Sequence, residues 1–365
     1  MAIASRMKEL LASHVAAGDF PGASYLLAEG DRVLAEGAIG DAVSTPERIP
    51  ATPATLYDLA SLTKPLSTAL LAAQLQSEGR LRFDDPLARF LPGWGEAPDA
   101  RAEITLLDLL THRSGLPAWK PLYIYAADRP ARIDWLRRVP LACRPGSEVA
   151  YSDLGYILLG FVLERTGGAP LDRLFAERVA RPLGTADALY LPPVATRRRI
   201  AATETGNARE RRLAGPDAEG YNGWRTEVIW GEVHDANAYT LGGVSGNAGL
   251  FGTAHAVFAV AREFLGERKG VVPDSQREFF HRSCTGGLSE ERSVGFQLAS
   301  TRGSSAGGAL SPRSIGHTGF TGTSLWIDAE SRRIYILLTN RVHPCFREID
   351  MNAVRREFHQ VAASL

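Results

Sequence analysis

The sequence predicts an α+β fold, in which one antiparallel β-sheet is assembled from both ends of the chain and flanked by the N- and C-terminal helices. A mainly helical domain is inserted between the two halves. Three observations carry this. Apolar runs of strand length bounded by turn residues lie near the N-terminus and recur near the C-terminus. The segments between them repeat their apolar residues with helical spacing and stop at Gly or Pro. Strands at both ends with helices between suggest one antiparallel sheet built from both termini with a helical region inserted into it.

Taken in order, Met7, Leu10 and Leu11 fall at helical spacing with Ile3, and Arg6, Lys8 and Glu9 interrupt the apolar character. This reads as an amphipathic helix and not as the apolar stretch of a signal peptide. Residues 23–28 and 33–39 then form two strand-like runs around Glu29-Gly30-Asp31-Arg32, a hairpin signal. Helical periodicity follows over Leu66–Gln76, Leu106–Leu110, Leu154–Arg165, Leu171–Ala180 and Ala256–Leu265. Residues 195–240 are polar, rich in Arg and Gly and without period, which predicts long surface loops along a substrate wall. Residues 294–298, 323–327 and 334–339 read as strands, with a turn over 328–333 and a last helix from about Glu348 to Ala363. The expected division is a discontinuous sheet domain from 1–60 and 290–365 and a helical domain over 61–289, forming a single catalytic unit.

Composition excludes several classes. At 365 residues the chain has room for a large core, and Lys plus Arg equals Asp plus Glu at 41 each. A nucleic-acid protein normally carries a basic face, and Arg197-Arg198-Arg199 is too short a run to be one. No run approaches the ~20 apolar residues that span a bilayer. Read as given, the chain is a soluble cytoplasmic protein; a periplasmic chain with its leader removed would look the same. Cys143, Cys284 and Cys345 are too few and too scattered for a disulfide framework and read as free thiols. His112, His234 and Asp235 lack any metal-site spacing and read as structural, and the Gly-x-Ser-x-Gly elbow is absent around Ser245.

The chemistry begins at Ser61-Leu-Thr-Lys64, just before the apolar run of Leu66, Ala69, Leu70 and Ala73. Pro65 is tolerated only if the helix starts near Ser61, since a first-turn proline forfeits no needed N–H. Lys64 then lies one turn on, on the same face. A serine hydroxyl needs a base to take its proton, and a lysine serves only when neutral. Burial and the positive end of the helix dipole are expected to lower its pKa; moving it from about 10.4 toward 7 takes roughly 4–5 kcal/mol. Only four lysines occur, Lys8, Lys64, Lys120 and Lys269, in a chain that otherwise uses Arg. Arginine cannot give up its proton, so a lysine here has a chemical reason. Alone, a Ser-x-x-Lys is a weak signal.

Tyr151-Ser152-Asp153 precedes the helix over 154–165, and either Ser152 or Asp153 suits an N-cap. The Tyr151 hydroxyl could relay a proton beside Ser61 and Lys64, and a buried structural tyrosine is an equal alternative. Near the C-terminus, His317-Thr318-Gly319 lies among glycines 316, 319 and 322, which mark close approach of a ligand or backbone. An edge strand there could bring the Phe320 N–H beside that of Ser61 as an oxyanion hole.

The order of these three motifs resembles the serine β-lactamase and penicillin-binding family, in particular its class C β-lactamase-like branch with D-alanyl carboxypeptidases and esterases. Residues 57–65, 109–117, 242–251 and 316–323 also look like that branch, so the resemblance covers nearly the whole chain. It implies a β-lactamase/transpeptidase-like fold, Ser61 as nucleophile, Lys64 and Tyr151 as proton-transfer partners, and His317-Thr318-Gly319 as the strand flanking the substrate. Two departures stand out. The second motif usually ends in Asn, and Asp153 cannot donate the amide hydrogen bond that Asn offers a substrate. The third usually opens with Lys, and the charge of His317 is expected to vary near neutral pH. Both argue against proficient β-lactam turnover. The expected function is acyl-enzyme hydrolysis of a small-molecule ester, amide or lactam, esterase-like or D-amino-acid peptidase-like, with no metal or organic cofactor. A weak β-lactamase and a catalytically silent scaffold are the alternatives. The sequence is silent on oligomeric state.

Overall fold

A computed structural model describes residues 3–96, 99–266 and 270–364; Lys269 lies outside them. Ten strands are present among these residues: β1 (Gly22–Glu29), β2 (Arg32–Val43), β3 (Ile49–Pro50), β4 (Tyr57–Asp58), β5 (Ala188–Tyr190), β6 (Leu250–Gly252), β7 (Gln297–Leu298), β8 (Ile315–Thr318), β9 (Ser324–Asp328) and β10 (Arg333–Thr339). Seven form one antiparallel sheet in the order β3-β2-β1-β10-β9-β8-β7. The first three come from the N-terminal end of the chain and the other four from the C-terminal end. β1 pairs with β10, joining the two halves with Leu26 opposite Ile336 and Leu27 opposite Tyr335.

Both faces of this sheet are covered, which explains why β1 and β10 read as nearly continuous apolar runs. Successive side chains alternate between faces. Tyr25, Leu27, Trp326, Tyr335 and Leu337 pack with Met7, Leu11 and Phe358 from the terminal helices Ile3–Ala17 and Met351–Ala363. Leu26, Leu325, Ile327, Ile336 and Leu338 pack into the larger core with Leu62, Leu66 and Leu70 from the helical region. No helix among the described residues is long and apolar enough to cross a membrane.

Four details differ from expectation. The last helix starts at Met351, because Asp350 caps it by accepting from the Asn352 and Ala353 N–H groups. Of residues 294–298, only Gln297 and Leu298 pair with a neighbour, so β7 is a short edge and β8 is not the edge strand. Residues 195–240 are not all loop: they hold the helices Ala208–Ala214 and Ala236–Thr240, with Glu204, Asn207, Glu210 and His234 buried. A small sheet in the order β4-β6-β5, with strands of two or three residues, was not foreseen.

Candidate active site

Ser61 stands in a short 3₁₀ turn, Ala60–Leu62, that leads into a wide π-type turn, Lys64–Ala69, and then into the α-helix Leu70–Ser77. Pro65 sits in the first turn, as its missing N–H requires. Wide turns of this kind recur at functional sites. Ala60 has φ +47°, a left-handed conformation costly for a residue with a Cβ. Asp58 holds it there: one carboxylate oxygen accepts from the Ala60 N–H at 2.9 Å and the other from the His234 N–H at 2.7 Å.

Lys64 is fully buried and donates to Ser61 Oγ at 2.8 Å and to the Asn247 carbonyl at 3.1 Å. Asp153 Oδ1 lies 2.7 Å from the same nitrogen. The Tyr151 hydroxyl bonds both Lys64 and Ser61, and the ammonium stands 5.0 Å from the Tyr151 ring centre. Tyr151 and Asp153 arrive together because Ser152 caps the helix Asp153–Gly167, accepting from the Gly155 N–H and donating to the Pro117 carbonyl.

The third motif meets Ala60 edge-on. Thr321 Oγ1 donates to the Asp58 carbonyl at 2.8 Å and Thr323 Oγ1 to the Leu59 carbonyl at 3.0 Å. A Cβ on Gly319 would stand 2.7 Å from the Leu59 carbonyl oxygen and 2.0 Å from Thr323 Oγ1, so only glycine permits this approach. Ser61, Tyr151, Asp153, His317, Thr318, Gly319 and Phe320 all line one cavity of about 640 Å³. The residues singled out in the sequence are therefore brought together.

Electrostatics depart from expectation at two of them. Burial disfavours a charge on Lys64, yet the Asp153 carboxylate, and after it Tyr151, outweigh burial and raise the pKa above the ordinary lysine value. The expected neutral amine is thus an ammonium at rest, and Asp153, expected to face substrate, is first the lysine's counter-ion. Burial also keeps Tyr151 a phenol, despite the nearby ammonium. His317, expected to titrate near neutrality, is held well below its ordinary pKa by burial and then by Lys64 and Arg292. Its Nδ1 lies 2.9 Å from the Thr318 carbonyl, so Nδ1 carries the proton and Nε2 presents a lone pair.

Other residues of the site had no catalytic role assigned from the sequence. His112, with φ +60°, supports Tyr151 from both sides in the chain: its Nδ1 accepts from the Ser152 N–H at 3.0 Å and its carbonyl from the Ala150 N–H at 2.9 Å. Its ring packs 4.4 Å from that of Tyr151, and burial, then Arg292, keep it neutral. Asp58 and Asn247 lie in the stretches 57–65 and 242–251, which signalled them only by family resemblance. Ser245 donates to Asn247 Oδ1 at 2.7 Å and is a buried structural hydroxyl. His234 bonds Glu204 at 3.0 Å. The three cysteines are free.

A Ser–Lys–Tyr cluster with the lysine buried and the serine and tyrosine opening on a cleft, between a two-faced antiparallel sheet and a helical region, defines the architecture of serine β-lactamases and penicillin-binding proteins. The Beta-lactamase family model matches residues 7–360, and the chain belongs to that family. A putative D-alanyl-D-alanine carboxypeptidase of Escherichia coli K12 is 33% identical over 350 residues, covering 89% of this chain and 79% of that protein. EstCE1, a hydrolase with promiscuous acyltransferase activity, superposes with TM-score 0.76 at 22% identity over 98% of both chains. A β-lactamase/D-alanine carboxypeptidase from Yersinia pestis superposes at TM-score 0.72 and 20% identity, covering 99% of this chain and 98% of that one. These two likenesses speak for the fold.

Proposed function

We propose that the protein is a serine hydrolase that works through an acyl-enzyme on Ser61, acting on small esters or amides. The observation that carries this reading is the 2.8 Å contact between Lys64 Nζ and Ser61 Oγ at the floor of the cavity. Once Lys64 has lost a proton, its amine takes the hydroxyl proton as Ser61 attacks the carbonyl carbon. The backbone N–H groups of Ser61 and Phe320 hold the developing oxyanion; one such donor is worth about 10²–10³ in rate. Tyr151, bonded to both side chains, passes the proton to the leaving group. Thr318 and Gly319 flank the substrate. Water, or an acceptor alcohol or amine, then releases the acyl group.

Within this chemistry an esterase-like or D-amino-acid peptidase-like activity suits the site better than β-lactam turnover. The carboxylate of Asp153 donates no hydrogen bond, and the neutral His317 offers a substrate carboxylate no cation. The similarity to a putative D-alanyl-D-alanine carboxypeptidase supports the peptidase alternative. A screen with p-nitrophenyl esters, D-alanyl dipeptides and nitrocefin, run beside Ser61→Ala, tests the reading. Turnover of an ester or dipeptide that disappears in the variant is expected. Nitrocefin hydrolysis at rates near the best ester would overturn the preference, and activity surviving in Ser61→Ala would overturn the mechanism.

A further inference from the structure

Lys64 is enclosed by acceptors. Ser61 Oγ, the Asn247 carbonyl and Asp153 Oδ1 lie 2.8, 3.1 and 2.7 Å from its nitrogen, and the Tyr151 hydroxyl bonds it as well. Around it, the 153–167 helix contributes Asp153, and Asp235, the cap of the 236–240 helix, adds a more distant carboxyl. His112 and His317 face it as neutral imidazoles, and Arg292 is paired with Glu290 at 2.7 Å. Asp153 is therefore the one carboxylate at ion-pair distance from Lys64 among the described residues. Its side chain keeps 20% exposure where Lys64 has none, and its Oδ1 is buried against the lysine nitrogen. The Asn usual in the resembled motif could accept from the ammonium without adding a negative charge.

We propose that Asp153 is a positioning residue that holds Lys64 protonated at rest and so sets the pH at which Ser61 becomes nucleophilic. This rests on the assignment of Ser61 and Lys64 as nucleophile and base. The ammonium first releases a proton to bulk water. The neutral amine then takes the Ser61 hydroxyl proton as Oγ bonds to the electrophile and the leaving group departs with its electron pair. Asp153 acts on this step through its charge and is not the acceptor of the Ser61 proton. Removing its charge lowers the lysine pKa, so more of the amine is neutral at any given pH and the rising limb of the rate profile moves to lower pH. Each unit of that shift is tenfold in rate on the limb.

The test is the second-order rate of Ser61 labelling by a fluorophosphonate between pH 6 and 10, for the wild type, Asp153→Asn and Asp153→Ser. Here Oγ bonds to phosphorus and fluoride leaves. The wild-type rate is expected to rise with pH. Both variants should shift the limb down by a unit or more, label at least tenfold faster at pH 7, and converge with the wild type at the alkaline end. A limb that stays in place in a fully labelled Asp153→Asn overturns the proposal. So does loss of labelling at every pH in variants that melt like the wild type, because Asp153 would then be a proton acceptor. Direct titration of the wild type needs no variant: with four lysines, the ε-carbon NMR signals can be assigned, and that of Lys64 is expected to stay charged through pH 9. Titration below pH 8 contradicts the proposal. Absence of labelling in the wild type, or its persistence in Ser61→Ala, would refute the underlying assignment instead.

Discussion

Ser61 lies between two groups that both hold protons at rest, an ammonium and a phenol. Its reactivity therefore depends on how readily Lys64 becomes neutral. Lys64→Arg is expected to abolish acylation while leaving the fold intact, because a guanidinium keeps the charge and cannot accept the proton; ester hydrolysis and a melting curve check both halves. Tyr151→Phe removes the relay and should lower kcat/KM by about 10²–10⁴ with little change in melting temperature. At this scale the motif residues were legible in the sequence, since Ser61, Lys64, Tyr151 and His317 stand in recognisable order. Their charge states were not. The sequence places Asp153 two residues after Tyr151, but its distance from Lys64 is set by how two helix starts meet, and that distance decides the sign of the lysine's shift. His112 read only as structural, because its support of Tyr151 passes through a backbone N–H and a ring contact that carry no sequence pattern.

Elements are held in register around the site by backbone approaches too close for any side chain. A Cβ on Gly246 would stand 2.1 Å from the Tyr156 carbonyl oxygen and 2.9 Å from the Gly160 nitrogen, where the 242–251 loop crosses the 153–167 helix. Gly246→Ala is expected to cost about 3 kcal/mol or more, read as a fall in the urea midpoint, since rigid backbone on both sides must separate. At Gly319 an added methyl would push the third motif away from Ala60 and Ser61. Gly319→Ala should therefore lose about 10²-fold in kcat/KM, the value of one misplaced oxyanion donor. The long periodic elements were readable, and so was the β1–β2 hairpin. The strands of two or three residues in β4, β5 and β6 and the five- to seven-residue helices within 195–240 are too short to show a period, and tertiary contacts define them.

Across the molecule, the junction of the two chain ends carries a pH liability. His359, on the C-terminal helix, is fully buried against the sheet with its Nδ1 3.0 Å from the Ser305 carbonyl, and burial lowers its pKa to about 4. The unfolded chain binds this proton at its ordinary pKa near 6.5, so the unfolded state holds more protons as pH falls below that value. The associated stability is complete above about pH 6.5 and disappears by about pH 4, amounting to about 3 kcal/mol. Urea unfolding at pH 7 and pH 4.5 should show the loss, and His359→Gln should flatten it. The sheet closed from both termini was legible because burial of its two faces leaves continuous apolar runs at 23–28 and 334–339, whereas the burial of one polar ring beneath the last helix has no counterpart in composition.

The proposed mechanism requires a covalent bond from Ser61 to the acyl group. Intact mass after mixing with a slowly released p-nitrophenyl ester, followed by peptide mapping, reads it directly. One acyl increment is expected on the peptide containing Ser61, absent in Ser61→Ala. An increment on another residue, or full turnover by Ser61→Ala, would contradict it.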